Sequence, residues 1–365
     1  MTQQEAWMQR ALDLARRGLG RVEPNPMVGA LLVRGSRVIA EGYHREYGGR
    51  HAEIVVLDRA KTAARGATLV ITLEPCSTHG KTPPCCDAII RAGVRRVLVA
   101  SRDPNPVHRH RGVAALRRAG IEVVDGVLRR EARELLRSFR ENLDRPEPFL
   151  TAKWAMTLDG QVATRGRASR WISSEASRRE GHRERARSDA VLVGIGTVLA
   201  DDPELTVRST RGRDPIRLVA DGRLRLPPSS RLVRTARDVP VWVVTSKGAD
   251  RSRERRLVEA GCRVLRFRGR GGRPDLPEAL RALKGLGVKR ILLEGGPTLM
   301  GEAFRAGLVD RVSVFVAGKL FGGDDGLGPV HAAGCLDPGE AIPLVGIRRR
   351  SLGGGDVAVE GIVAR

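Results

Sequence analysis

Two consecutive α/β domains are what this chain of 365 residues predicts. Three observations carry that reading. Apolar runs alternate with amphipathic stretches almost from end to end, as strands and helices do when they follow one another. The segment Asp144-Arg145-Pro146-Glu147-Pro148 interrupts the alternation, because two prolines in three residues stop a helix and remove sheet donors. The length also exceeds the roughly 100–200 residues usual for one domain, so the expected domains are 1–145 and 146–365. With 41% hydrophobic residues there is material for two cores, and the low-hydrophobicity signature of disorder is absent.

Short Val-, Ile- and Leu-rich runs read as strands, and longer stretches that mix apolar with charged residues read as helices. In the first domain this gives a helix near Gln3–Arg17, then strands at Met27–Val33 and Arg37–Tyr43. A helix from about Glu53 leads to a strand at Thr68–Leu73, a helix from Cys85 to Ala92 and a strand at Arg96–Ala100. A helix at Gly112–Ala119, a strand at Ile121–Val124 and a helix at Arg130–Asn142 complete it. After the prolines the alternation restarts, with strands near Phe149–Met156, Ala190–Val193, Ile216–Ala220, Val241–Thr245, Arg263–Phe267, Arg290–Glu294 and Arg311–Val316. Helices are expected between them, notably at Glu175–Arg187 and Pro297–Ala306. The last run, Asp356–Val363, alternates apolar and polar positions as a half-buried edge or antiparallel strand does.

The formal charge of +23 raises the question of a nucleic-acid partner. The excess is spread: +10 falls in residues 1–145 and +13 in the remainder, and 58 of the 65 cations are arginine. An Arg-rich solvated surface, favourable to small anionic substrates, is the simpler account, and no nucleic-acid partner is expected. No apolar run reaches the roughly 18 residues of a membrane span, and Glu5, Asp13 and several arginines occupy the place of a signal peptide. A cytoplasmic protein without a membrane partner is expected. Three of the five cysteines, Cys76, Cys85 and Cys86, fall within eleven residues, a clustering that points to a metal and not to a disulfide framework.

His51-Ala52-Glu53 is followed by Pro75-Cys76 and, after eight intervening residues, by Cys85. One imidazole and two thiolates form a three-ligand zinc set that leaves the fourth tetrahedral position open, as catalytic sites do. Helix starts lower thiol pKa values and so favour both thiolates. Glu53, two residues from His51, is placed to move protons beside the metal without binding it. This H-x-E…P-C…C order is the signature of zinc nucleobase deaminases. The alternative is a closed structural site with Cys86 as fourth ligand, but adjacent cysteines point in different directions and Cys86 is better placed inside the helix. His79 and Lys81 lie in the Gly/Pro-flanked loop between the two cysteines, where a cation would meet an anionic substituent such as a phosphate.

These residues bring a resemblance. Pro24-Asn25-Pro26-Met27-Val28-Gly29, Gly42-Tyr43-His44, His51-Ala52-Glu53 and the run Leu73-Glu74-Pro75-Cys76-Ser77-Thr78-His79-Gly80-Lys81-Thr82-Pro83-Pro84-Cys85 resemble the cytidine-deaminase superfamily. Within it they are similar to the deaminase half of the bifunctional riboflavin-biosynthesis deaminase/reductase family. Deaminases of tRNA or free cytidine look like P-C-x-x-C, whereas this chain has eight residues between its thiols. The resemblance implies a cytidine-deaminase-like α/β/α domain with zinc on His51, Cys76 and Cys85, Glu53 as the catalytic proton shuttle, and substrate contacts at Asn25 and His44.

The second domain has no G-x-G-x-x-G. Gly194-Ile195-Gly196-Thr197 lacks the third glycine, while Glu294-Gly295-Gly296-Pro297 carries a strand into a helix start and exposes backbone N–H groups to an anion such as a pyrophosphate. Lys153-Trp154-Ala155-Met156-Thr157-Leu158-Asp159-Gly160, Ser169-Arg170-Trp171-Ile172-Ser173, the stretch from Gly194 to Arg208, and Glu294-Gly295-Gly296 resemble the reductase half of the same family. That implies a dihydrofolate-reductase-like α/β fold using NADPH. Implied cofactor contacts are Ala155, Trp171, Thr197, Asp201, Asp221 and the turn Gly296, Pro297, Thr298, Leu299, Met300, Gly301 and Glu302. Implied substrate contacts are Ser169, Arg185, Leu205, Arg208 and Glu294, and guanidinium forks suit a phosphorylated sugar. Thr157, Gln161 and Gly318 depart from the family's usual Ser, basic residue and Pro, and Arg223–Asp275 carries least of the likeness.

The resemblance implies zinc-dependent deamination of 2,5-diamino-6-ribosylamino-4(3H)-pyrimidinone 5′-phosphate. NADPH-dependent reduction of its ribosyl group to ribityl follows, with Lys153 or Asp201 as candidates for assisting with protons. A homo-oligomer is expected. A polynucleotide deaminase and a zinc-stabilised scaffold are the rivals. The spacing of the thiols and the spread charge oppose the first, and Glu53→Ala separates the second.

Overall fold

The computed structural model describes residues 2–364 apart from 20, 79–82, 107, 109, 167–170, 324–325, 332–333 and 335. It consists of two compact units, Met1–Arg145 and Pro146–Arg365.

In the first unit, α1 (Gln3–Arg16) starts with a capping box: the Thr2 hydroxyl accepts from Glu5 N–H while the Glu5 carboxylate accepts from Thr2 N–H. There follow β1 (Gly29–Arg34), β2 (Arg37–Tyr43), α2 (Ala52–Ala60), β3 (Thr68–Leu73), α3 (Cys85–Arg91), β4 (Arg96–Ser101), α4 (Arg111–Arg118), β5 (Glu122–Asp125), α5 (Arg129–Leu135) and α6 (Arg137–Asp144). The sheet order is β2-β1-β3-β4-β5, with β1 antiparallel to both neighbours and β3, β4 and β5 parallel.

Strand alternation builds two cores in this unit. Ala30, Leu32, Leu69 and Ile71 face α2, α3 and α4, while Leu31, Val33 and Val70 face α1 and α5. The helix expected over Arg130–Asn142 is broken at Leu136. The break lets Ala132 enter one core and Leu136 the other. Because β3 and β4 are parallel, their carboxyl ends open together, and β3 runs directly into Glu74-Pro75-Cys76.

The second unit comprises β6 (Phe149–Thr157), α7 (Glu175–Ala186), β7 (Ala190–Gly194), α8 (Ile195–Asp201), β8 (Ile216–Ala220), α9 (Arg231–Arg234), β9 (Val241–Ser246) and α10 (Arg251–Glu259). It continues with β10 (Arg263–Phe267), the short pair β11 (Gly269–Arg270) and β12 (Arg273–Pro274), α11 (Leu276–Gly285), β13 (Arg290–Glu294), α12 (Pro297–Arg305), β14 (Arg311–Ala317), β15 (Leu344–Ser351) and β16 (Val357–Val363). The nine-stranded sheet has the order β10-β9-β8-β7-β13-β6-β14-β16-β15. Strands β10 to β14 in that order are parallel, and β16 and β15 are antiparallel additions.

The chain passes from β6 to β7 leaving a place that β13 later fills, so the turns after β7 and β13 flank a topological switch point, where open α/β sheets bind ligands. The alternating run near Asp356–Val363 is indeed antiparallel, but it is not the edge. The edge is β15, whose Arg348-Arg349-Arg350 breaks the apolar alternation that would have revealed it. Beneath β14 to β16, Glu184 of α7 takes two bonds from Arg311 at 3.1 and 3.2 Å, and Arg311 also meets Glu360 at 3.0 Å. Arg350 bridges Glu180 and Glu360, each at 3.2 Å. No helix among the described residues is long and apolar enough to cross a membrane.

Candidate active sites

In the first unit, His51 precedes α2, Cys76 follows β3, and Cys85 opens α3. Their ligand atoms lie within 4.8 Å of one another, with His51 Nδ1 at 3.1 Å from Cys85 Sγ and 3.7 Å from Cys76 Sγ. Cys85 N–H, at the start of α3, donates to Cys76 Sγ at 3.3 Å. Hydrogen bonding from the Cys85 thiol, then from the His51 ring and Cys85 N–H, outweighs burial and holds the Cys76 thiol down to about 4. Cys85 is pushed up in turn, because one negative charge beside it opposes a second. A divalent cation removes that conflict, and the His, Cys, Cys set is the donor chemistry zinc takes. Cys86 is not part of the set: its thiol is buried and faces the carbonyls of Pro75 and Gly112 at 3.6 Å.

Glu53 lies in the first turn of α2 and is only 4% exposed. Burial raises its carboxyl, and the neighbouring His51 works against that rise. His44 Nδ1 lies 3.0 Å from the Arg50 carbonyl, which can only accept, so Nδ1 carries the proton. Its Nε2 is then an acceptor, 3.4 Å from Asn25 Nδ2. Burial lowers the His44 pKa and favours this neutral form. The His44 and His51 rings meet edge to face at 5.6 Å, so Asn25 and His44 stand beside the ligand cluster. His79 and Lys81 lie outside the described residues.

Sequence reasoning gave no role to Glu74. Its buried carboxylate accepts from Asp103, His110 and Val113 N–H at 3.2, 3.1 and 3.0 Å, which hangs the 103–113 loop on the residue two before Cys76. His108 Nδ1 lies 2.9 Å from Thr78 Oγ1 and ties that loop to the chain beyond Cys76. A glutamate ahead of Pro-Cys carries no pattern that distinguishes such a hub from a surface acid.

In the second unit Glu294 ends β13 and receives the Arg185 fork, Nε at 2.6 Å and Nη2 at 2.9 Å. Lys153 Nζ of β6 lies 3.7 Å from the same carboxylate. Burial alone would raise Glu294, but Arg185 and Lys153 hold it down to about 2. Arg185 also donates to the Thr206 carbonyl at 3.1 Å, so its donors are largely committed within the protein. Leu205 is buried with φ +56°, and Arg208 pairs with Glu204 at 2.5 Å while half exposed. His182, which the sequence did not single out, places Nδ1 at 3.0 Å from the Thr206 carbonyl, and burial together with Arg185 and Arg208 lowers its pKa. A lone histidine in the Arg/Glu-rich α7 gave no signal. Ser169 lies outside the described residues.

Of the expected cofactor contacts, Thr197 and the Gly296 turn come together at the switch point. Gly295 and Gly296 have φ of +76° and +83°, and Thr197 Oγ1 lies 3.3 Å from where a Cβ on Gly296 would stand, so a side chain there would fill the cradle. With Pro297 at the first position of α12, the turn presents backbone N–H groups to an anion and fits a dinucleotide pyrophosphate. Pro297, Thr298 and Glu302 reach the surface, whereas Leu299, Met300 and Gly301 are buried. Asp201 ends α8, and Ala155 lies on β6 opposite Phe315 of β14. Trp171 is exposed, with the Arg178 guanidinium 4.4 Å above its ring. Asp221 is fully buried, and its carboxylate accepts from Leu226 N–H at 2.7 Å. The departures sit close together. Thr157 is buried and bonds Asp159, which accepts from Phe321 and Gly322 N–H, and Gln161 N–H donates to Thr157 Oγ1 at 3.0 Å.

Two known family models match the chain, one in each unit. The model for the cytidine and deoxycytidylate deaminase zinc-binding region matches residues 1–101, and that for the RibD C-terminal domain matches residues 148–347. The chain belongs to the RibD family. RibD of Aquifex aeolicus is 43% identical over 317 residues, 87% of each protein, and RibD of Escherichia coli is 39% identical over 88% of this chain and 89% of its own. Among solved structures, RibD of Acinetobacter baumannii superposes with a TM-score of 0.71 at 34% identity, covering 100% of this chain and 99% of that one. A Thermotoga maritima diaminohydroxyphosphoribosylaminopyrimidine deaminase/5-amino-6-(5-phosphoribosylamino)uracil reductase has a TM-score of 0.66 at 36% identity, with 99% of each chain covered. As a RibD-family member the chain is a bifunctional riboflavin-biosynthesis enzyme, with a cytidine-deaminase-like zinc-binding domain and a dihydrofolate-reductase-like domain that uses NADPH.

Proposed function

We propose that unit 1–145 hydrolytically deaminates 2,5-diamino-6-ribosylamino-4(3H)-pyrimidinone 5′-phosphate, and that unit 146–365 then reduces the ribosyl side chain to ribityl. The product is 5-amino-6-(5-phosphoribitylamino)uracil. The observation that carries the first step is the buried Glu53 carboxyl beside three ligand atoms within 4.8 Å of one another. Zinc on His51, Cys76 and Cys85 supplies a Lewis acid that makes water a usable nucleophile near neutral pH. Glu53 accepts a proton and returns it to the departing amine, and its burial, by raising its affinity for the proton, suits both halves of that exchange. Asn25 and the neutral His44 orient the ring.

NADPH supplies the hydride for the second step. The chain's own part is to hold the ribosyl carbon and exclude alternatives. Glu294, kept ionised by Arg185 and Lys153, accepts sugar hydroxyls, while Arg208 has exposed donors for the phosphate. Lys153, whose ammonium lies 3.7 Å from Glu294, is the side chain assigned to assist with protons.

A phosphorylated substrate also suits the +23 charge. The exposed Val345 and Ile347 on the open edge β15 support a homo-oligomer, and the free cysteines support a cytoplasmic location. The deaminase assignment is tested by following ammonia release from the diaminopyrimidinone phosphate in wild type and Glu53→Ala. The variant is expected to keep its zinc and lose activity, and full activity with zinc retained overturns the shuttle role.

A further inference from the structure

NADPH differs from NADH by one phosphate on the adenosine 2′-oxygen, a dianion that calls for cationic donors beside the cofactor cleft. Strands β13, β7, β8 and β9 are parallel neighbours, with Gly194 opposite Ala220 and Ala220 opposite Val244, so the turns after them open at one end of the sheet. The turn after β8 is two strands from β13, about 10 Å, comparable with the reach of an adenosine from a pyrophosphate at the Gly295-Gly296 cradle. In dinucleotide-binding folds an acid near this place holds a free ribose 2′-hydroxyl, whereas an arginine accommodates a 2′-phosphate. Here the acid, Asp221, is folded inward onto Leu226 N–H.

The β11–β12 hairpin closes over the same turn. A Cβ on Gly222 would stand 1.8 Å from the Gly272 carbonyl oxygen and 3.1 Å from Arg273 Cα, so only glycine lets the two backbones approach. Arg223 Nε lies 2.5 Å from where a Cβ on Gly272 would be, which lays the Arg223 side chain along the hairpin tip. Arg253 of α10 donates to the Arg223 carbonyl at 3.4 Å and fixes the turn from the other side. Toward α12, Arg273 is near enough to Glu302 to oppose the rise that burial gives its carboxyl. Both guanidiniums are exposed, and among the described residues neither is ion-paired.

We propose that Arg223 and Arg273, brought together by the packing of Gly272 on Gly222, form the subsite that reads the 2′-phosphate of NADPH. This rests on the NADPH-dependent reductase reading. Two guanidinium forks give a dianionic phosphate directed donors that a free hydroxyl cannot engage equally.

Adenosine 2′,5′-bisphosphate and adenosine 5′-monophosphate differ only in this group, and their binding to the full chain is measured by calorimetry. Wild type is expected to prefer the bisphosphate. Arg223→Gln and Arg273→Gln should each weaken it by about tenfold, the size of one charged hydrogen bond, without changing the monophosphate, and Arg273→Lys should recover part of the loss. Unaltered bisphosphate binding in both Gln variants, or equal weakening of the two nucleotides, overturns the assignment while NADPH oxidation by wild type keeps the reductase reading. A wild type that binds neither nucleotide and oxidises no NADPH overturns the reductase reading, and this subsite with it.

Discussion

At Glu53, burial and a neighbouring imidazole act on one carboxyl in opposite senses, and burial leads. Such a group holds its proton more readily than a surface glutamate, which suits alternate acceptance and donation. Replacing it with glutamine keeps the shape and removes the exchange. Glu53→Gln is therefore expected to slow ammonia release by roughly 10²–10⁴-fold with zinc content unchanged by metal analysis. Loss of zinc would move Glu53 into the ligand set instead. The cluster of His51, Cys76 and Cys85 was legible because metal ligation demands particular residue types at constrained spacings. Glu74 and His182 were not, because their importance comes from backbone groups that the fold alone brings to them. Asp221 differs: the resemblance implied a cofactor contact there, and the structure adds that its carboxylate accepts from Leu226 N–H of its own turn.

The element scale is governed by the ion network joining α7 to β14, β15 and β16. Although burial alone would raise Glu184, Arg311 and Arg290 hold it at about 2, below the ordinary carboxylate value. A depressed carboxylate contributes stability above its unfolded pKa, and that contribution is lost as pH falls from there toward about 2. Glu184→Gln leaves Arg311 buried with fewer negative partners, and at neutral pH should cost about 3–5 kcal/mol. Urea unfolding of the full chain at pH 7 and pH 3 tests this: the gap between variant and wild type should narrow at the lower pH, and an equal gap would remove the electrostatic explanation. Most parallel strands were visible as apolar runs because both of their faces are covered. The edge strand β15, carrying three consecutive arginines, and the hairpin β11–β12, too short to show a period, were not. The break at Leu136 was also hidden, since it arises from two cores competing for one amphipathic segment.

For the whole molecule, the charge of +23 gains its meaning from where it lies. Its excess is divided between both units, and part of it is held in internal pairs such as Arg185–Glu294 and Arg311–Glu184, so the expectation of no polynucleotide partner stands as a prediction. Single-stranded DNA should bind this chain no more tightly than non-specific contacts allow, with a Kd of about 10⁻⁶ M or weaker at physiological salt. A nanomolar complex measured by fluorescence anisotropy would contradict that. The two units each carry their own core and their own site. Glu294→Gln is accordingly expected to abolish NADPH oxidation while ammonia release continues, and parallel loss of both activities would show that the sites are not separable.

One chain is expected to perform both reactions in sequence. The direct measurement supplies the diaminopyrimidinone phosphate with NADPH and follows ammonia and NADPH absorbance together, in wild type and in Glu53→Gln. Wild type should release ammonia and then consume NADPH. The variant should do neither until the deaminated intermediate is added, whereupon NADPH oxidation returns. NADPH consumption by the variant without added intermediate, or none by wild type after ammonia is released, would contradict the account.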